Sequence, residues 1–242
     1  MVLCYTTAMV RTFFFVVAIS LISSAKDRDL ETSVKRMEAR YRSAKTLQAT
    51  FLQRYIENGR EVRSESGIAY FRRPGRMRWD YEAPEKNVFL VDGKTAWFYV
   101  PGDHTVTRVP AKQSTDLRTP LALLAGEMKV SRVCARIETS TEPPKSLANV
   151  VLSCRVRDAE HSSDRQHDRA SEPQDTILFE IAPDTGELMR LLIHDPGGVV
   201  IEFRFANWRF DPPIPDSLFR FMPPPGVAIV NGELPDGGAP FN

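Results

Sequence analysis

No local signature of catalysis runs through these 242 residues. The chain has no Gly-x-Ser-x-Gly elbow, no phosphate-cradling glycine loop, no His-Glu-x-x-His helix and no paired-cysteine metal spacing. Histidine is scarce, with four in all. His161 and His167 lie with Asp164 and Asp168 in a polar loop, and metal-ligating rings need outer support that such a loop rarely gives. His104 follows a Pro-Gly-Asp turn and His194 ends a strand, so both read as turn-edge residues. No catalytic residue, metal or cofactor is expected, and the case for an enzyme is weak.

An excess of one charge is also lacking. Lys and Arg number 32 against 31 Asp and Glu, and Arg11 is the one charge in the first 25 residues. Without that segment the balance is 31 against 31. A chain of zero net charge has no global field to draw polyanions, which argues against nucleic acid as a partner. Long apolar runs are absent as well. Thr12–Ile22 is shorter than the ~20 residues that span a bilayer. Preceded by Arg11 and followed by the small residues Ser23-Ser24-Ala25, it reads as a secretory signal cleaved after Ala25. The mature chain, 26–242, is then expected in the periplasm as one domain with a real core.

Two of the three cysteines survive this cleavage, Cys134 and Cys154. They sit in alternating segments on either side of a turn, and a hairpin centred near residue 144 sets them almost opposite one another. A disulfide suits an oxidising compartment; two small buried hydrophobes would fit the same pattern.

Residues 27–45 read as an amphipathic helix, with Leu30, Val34, Met37, Tyr41 and Ala44 on one stripe. Asp27 and Asp29 suit the positive end of its dipole. The period then changes: Leu47, Ala49, Phe51 and Tyr55 alternate with more polar neighbours, as in a strand. Turn signals such as Asn58-Gly59, Pro74-Gly75, Asp92-Gly93 and Asp184-Thr185-Gly186 punctuate short strands from there on, which indicates an antiparallel meander. Residues 115–126 form a second helical or apolar-loop candidate, 158–175 a solvated or disordered loop, and 231–242 a loose tail.

Several strands are apolar on both faces, among them 88–91, 97–100 and 188–193. A sheet with one buried face should alternate cleanly. Both faces must therefore be covered, by two layers or by one layer and a ligand; a closed barrel with a packed interior fits equally well.

The stretch "FRRPGRMRWDYEAPEKN", residues 71–87, crowds four arginines around a Pro-Gly turn. With its neighbours it carries an ordered set of features. Phe51-Leu52-Gln53 comes first, then Gly-x-x-x-Phe-x-Arg-Pro-Gly-x-Met-Arg-Trp over residues 67–79. Pro84 follows, then Asp-Gly-Lys-x-x-Trp-x-Tyr over 92–99, and near the C-terminus Phe-x-Phe-x-x-Pro-x-Gly-Val over 219–227. This order resembles the periplasmic lipoprotein carrier family LolA, from about residue 27 to 230.

The resemblance implies a mainly β fold with a few helices, an incomplete antiparallel β-barrel whose α-helical lid closes over an apolar cavity. It implies a carrier that takes acylated lipoproteins from an inner-membrane ABC transporter to an outer-membrane acceptor, acting as a monomer. Arg73 matches the lid-tethering arginine, since a guanidinium can bond several carbonyls at a helix end. Met77 falls at a bulky cavity position. The other implied cavity residues are Trp79, Phe89, Val91, Trp97, Tyr99, Leu121, Leu124, Phe203 and Phe205. Arg72, Arg76 and Arg78 are expected on a solvated strand face. Relatives of this fold also serve as periplasmic sensors of lipids or misfolded outer-membrane proteins, and at least one is an enzyme.

Overall fold

The computed structural model describes residues 30–111, 122–125, 129–156, 176–194 and 198–232. The expected signal segment, Leu121, the 158–175 loop with His161 and His167, and nearly all of the tail lie outside these residues.

A helix, α1, occupies residues 30–43 and ends where the sequence changes from helical to alternating periodicity. Its apolar stripe is the face that packs: Met37 and Tyr41 are fully buried and Ala44 nearly so. Six strands follow as an antiparallel meander, β1 (Thr46–Glu57), β2 (Arg60–Arg72), β3 (Arg76–Ala83), β4 (Val88–Val91), β5 (Thr95–Val100) and β6 (Thr105–Pro110). Two short helices, α2 (Ala122–Ala125) and α3 (Val130–Val133), interrupt the β structure. A second meander runs through β7 (Cys134–Thr139), β8 (Val150–Val156), β9 (Thr176–Ala182), β10 (Glu187–His194) and β11 (Val199–Phe210). A last strand, β12 (Ala228–Asn231), adds to β6 in parallel.

The twelve strands of the described residues form one sheet in the order β12-β6-β5-β4-β3-β2-β1-β11-β10-β9-β8-β7. The two meanders are joined where β1 pairs with β11, Phe51 facing Phe205 and Tyr55 facing Ile201. The outermost strands, β12 and β7, do not pair with each other, so the sheet is open. Its inner face gathers residues of both meanders and of all three helices into one apolar cluster. This is an incomplete barrel filled by helices.

Turn chemistry explains the register. Asn58 and Gly59 form the two-residue loop between β1 and β2 with φ of 50° and 75°, both positive as a type I′ turn requires. In the middle of β2, Gly67 sits at a bulge against β3, and a Cβ there would lie 2.0 Å from the carbonyl oxygen of Asp80. Only glycine fits that approach.

The strands that are apolar on both faces are covered twice. On the outer side of β3–β5, Leu90 is fully buried, and the chain after β11 lies across it. A 3-10 turn, Asp216–Phe219, packs against β3, and Phe221 stacks on Trp97 with ring centroids 5.3 Å apart. The arginines expected on a solvated face hold this segment. Arg72 donates to the Ile214 carbonyl at 2.9 Å and pairs with Asp216, Arg76 also reaches Asp216, and Arg78 donates to the Leu218 carbonyl at 3.2 Å. Farther along the outer face, Arg190 pairs with Glu180 at 2.7 Å, both nearly inaccessible, and Glu180 also accepts from the Lys145 amide and the Asn149 side chain of the β7–β8 loop. Buried charge is tolerated here because each group is paired and hydrogen-bonded.

Cys134 and Cys154 form a disulfide that links the end of α3 to β8. Cys134 lies opposite Val156 and Cys154 opposite Ile137, with a bulge between, so the cysteines meet diagonally and the hairpin axis lies about a residue beyond the expected one.

Candidate functional site

Ladder pairing fixes which side chains share the inner face, because directly opposed residues project to the same side. Phe71 opposes Met77 and Met77 opposes Val91; Ala69 opposes Trp79 and Trp79 opposes Phe89. Phe51, opposite Phe205, brings the second meander into line. Trp79 is the centre of this surface. Its ring lies 4.8 Å from Phe51, 5.7 Å from Phe71, 5.6 Å from Phe203 and 6.2 Å from Phe205 by centroid, mostly edge-on. Such edge contacts suit the aromatic quadrupole and add about 0.5–1.5 kcal/mol per pair to the burial itself.

Among the implied cavity residues, Met77, Trp79, Phe89, Val91, Leu124, Phe203 and Phe205 come together here, each at most 8% exposed. In this conformation they pack against one another and against the helices, so the lid is down on a filled interior. Trp97 and Tyr99 do not join them. Trp97 opposes Leu90 and Arg108, which places it, and Tyr99 two residues on, with the outer face. Both pack against Phe221 there. Apolar runs on both faces conceal parity, and only the pairing register separates Phe98 inside from Trp97 outside.

The helices are fastened at two places. The β2–β3 turn holds one. The Arg73 guanidinium donates to the Arg42 carbonyl at 2.8 Å and to the Tyr41 carbonyl, both in the last turn of α1, where carbonyls lack helical partners. Two residues on, the Gly75 amide donates to the Ala125 carbonyl at the end of α2 at 2.9 Å. One hairpin turn therefore grips both helices. Burial, with the charge of Arg42 nearby, lowers the proton affinity of Arg73 below that of a free guanidinium.

The second fastening is the β9–β10 turn. Arg36 bonds the Pro183 carbonyl, Arg40 pairs with Glu187, and the Leu188 amide donates to the Tyr41 hydroxyl at 2.9 Å. Burial pushes the Tyr41 phenol far above its ordinary pKa, so it stays protonated. Glu38 extends the link by accepting from the Val130 amide of α3 at 2.7 Å. An open surface cleft of about 770 Å³, lined by Lys45, Arg72, Asp211 and Pro212–Pro215 among others, lies beside the end of α1; it shares no residue with the interior.

A polar group escaped the reading of the sequence. Gln53, Tyr55, Glu65, Tyr81 and Asn87 are all buried on the inner face. Tyr81 donates to Gln53 at 2.9 Å, Gln53 bonds the Tyr55 hydroxyl, and Arg63 pairs with Glu65 at 2.7 Å. The signal was there: Gln53 falls on the same phase of the alternation as Phe51 and Tyr55. Among the described residues no group of three or more His, Cys, Asp or Glu is placed to hold a metal ion.

An open, mainly antiparallel sheet wrapped around helices, with an aromatic inner face and helices fastened by two hairpin turns, defines a lidded half-barrel. The sequence profile of the family described as "Outer membrane lipoprotein carrier protein LolA" matches residues 42–222, and the chain belongs to that family. It is 26% identical over 203 residues to the outer-membrane lipoprotein carrier protein of Nitrosospira multiformis, covering 83% of this chain and 89% of the relative. The protein of the same description from Methylococcus capsulatus is 29% identical over 205 residues, covering 84% and 89%. Among solved structures, a LolA superfamily protein from Nitrosomonas europaea aligns at 11% identity with a TM-score of 0.42, covering 79% of this chain and 97% of that one.

Proposed function

We propose that the mature protein, residues 26–242, is a periplasmic carrier that shelters the acyl chains of lipoproteins between the inner and outer membranes. In this reading residues 1–25 direct export and are removed. The chain takes its cargo from a releasing ABC transporter and yields it to an outer-membrane acceptor. The observation that carries the proposal is the β2–β3 turn, which ties α1 and α2 across the aromatic inner face by three hydrogen bonds.

Magnitudes make such a latch workable. The three hydrogen bonds of this turn, at a net ~1 kcal/mol each, add only about 3 kcal/mol to what the β9–β10 turn and the apolar packing already hold. One acyl chain of roughly fifteen methylenes, at ~0.8 kcal/mol each, gains on the order of 12 kcal/mol on leaving water. Cargo can therefore open the lid by mass action, and the lid can close again once cargo leaves for a better apolar site. The test is mass spectrometry of the protein purified from the periplasm of cells that make lipoproteins. Acylated lipoprotein should be recovered in stoichiometric amounts from a transporter-active strain. Recovery of the protein with no acyl species, at full occupancy of its own fold, would contradict the proposal.

A further inference from the structure

We propose that the inner face recognises a secondary amide, with the Trp79 indole N–H donating to its carbonyl and the Asn87 carboxamide oxygen accepting from its N–H; this deepens the carrier reading and rests on it. Two kinds of polar group lie on this face. Gln53, Tyr55 and Tyr81 bond to one another, and Glu65 pairs with Arg63, so those groups are engaged within the protein. Trp79 Nε1 and Asn87 Oδ1 are different. Trp79 is fully buried and Asn87 only 3% exposed, and neither of these two atoms has a hydrogen-bond partner. Native interiors rarely leave such groups unpaired, because each has given up its water for nothing.

The two are neighbours. The Tyr81 amide donates to the Asn87 carbonyl at 3.0 Å, continuing the β3–β4 ladder in which Trp79 opposes Phe89. Asn87 thus occupies the position diagonal to Trp79 on the same face, with roughly 7–8 Å between the two backbones in an antiparallel pair. Aromatic and long side chains at diagonal positions are within reach of one another, so a single amide held by two hydrogen bonds of ~2.9 Å can lie between them. One group is a donor only and the other an acceptor, which complements C=O and N–H together. An ester would satisfy the first and leave the second unpaired. The apolar rings around Trp79 take the attached chain, so the ligand class is a chain joined through an N-acyl linkage.

The test uses two probes that differ by one atom, N-methylhexadecanamide and methyl hexadecanoate, each displacing an anilinonaphthalene dye from the purified mature protein. The amide should bind about tenfold more tightly, equivalent to ~1.4 kcal/mol. Asn87→Leu should remove that preference while leaving the ester's affinity in place, and Asn87→Asp, which keeps an acceptor oxygen, should retain it. Trp79→Phe should weaken both probes alike. Equal affinities in the unmodified protein overturn this site and leave the carrier reading standing. Failure of both probes to displace the dye overturns the site and the carrier reading together. Should Asn87→Leu not fold, the amide–ester ratio of the unmodified protein and of Asn87→Asp still decides.

Discussion

At the scale of single residues, Arg73 has the clearest role to test. Its side chain reaches the two last-turn carbonyls of α1 while its own amide donates to Lys45, so the helix end is held from side chain and backbone at once. A planar guanidinium can serve two carbonyls in a fixed geometry; an ammonium cannot. Arg73→Leu removes the two side-chain bonds, about 2 kcal/mol at typical net values, and adds apolar surface at the lid edge. Closing becomes less favourable, so the loaded state gains relative to the empty one. Lipoprotein should load as well as before or better, while its transfer to the acceptor slows at least tenfold; Arg73→Lys should fall between. Arg76→Leu is not a neutral comparison, because Arg76 helps hold Asp216 on the outer face. Arg136→Leu is, since that side chain is largely exposed and, among the described residues, pairs with exposed Glu138 on an edge strand. The assay scores carrier-bound and acceptor-bound lipoprotein separately, and unloading of Arg73→Leu at the unmodified rate would remove the latch.

At the scale of elements, the sequence showed most of what local physics controls. The α1 stripe, the Asn58-Gly59 turn and the apolar runs on both faces were all readable, because each depends on neighbours within a few residues. What could not be read is what pairing decides. Trp97 and Tyr99 looked like cavity residues until the β4–β5 register turned them outward, and Arg72 and Arg78 looked solvated until the chain after β11 folded back over them. Asn87 lies in no motif; its place beside Tyr81 follows from a turn closing after Pro84. The disulfide stands between these cases. The cysteine spacing suggested it, yet a bulge makes the contact diagonal. Since it joins residues 20 apart, it should stabilise by roughly 3 kcal/mol through loop closure. Replacing both cysteines by serine should then lower Tm by about 10 °C, and reductant should lower that of the unmodified protein similarly. An intact mass showing two free thiols in oxidised periplasmic material would rule the bond out.

At the scale of the whole molecule, the energetics call for partial burial of the cargo or for an empty state whose opening offsets the gain. A triacylated anchor of forty-odd methylenes would gain on the order of 30 kcal/mol if fully buried, beyond the ~18–21 kcal/mol that noncovalent binding reaches. A carrier must also release what it binds, so some of that gain has to be offset. The described interior supplies the offset. Its aromatic rings are packed on one another and on the helices, and cargo must separate these contacts before gaining its own. The chain's three tryptophans report where cargo goes, because Trp79 is at the centre of the inner face, Trp97 is on the outer face, and Trp208 packs against Tyr41 beneath α1. Replacing two at a time by phenylalanine leaves one reporter. With a lipoprotein or fatty acid brominated along its chain, the protein retaining only Trp79 should lose most of its fluorescence on loading. The protein retaining only Trp97 should lose little even with cargo raised to saturation to offset the loss of Trp79, since the whole sheet stands between it and the chain. Quenching of Trp97 equal to that of Trp79 would mean that acyl chains settle on the outer face, and the lid, the latch and the filled interior would then have no part in carrying them.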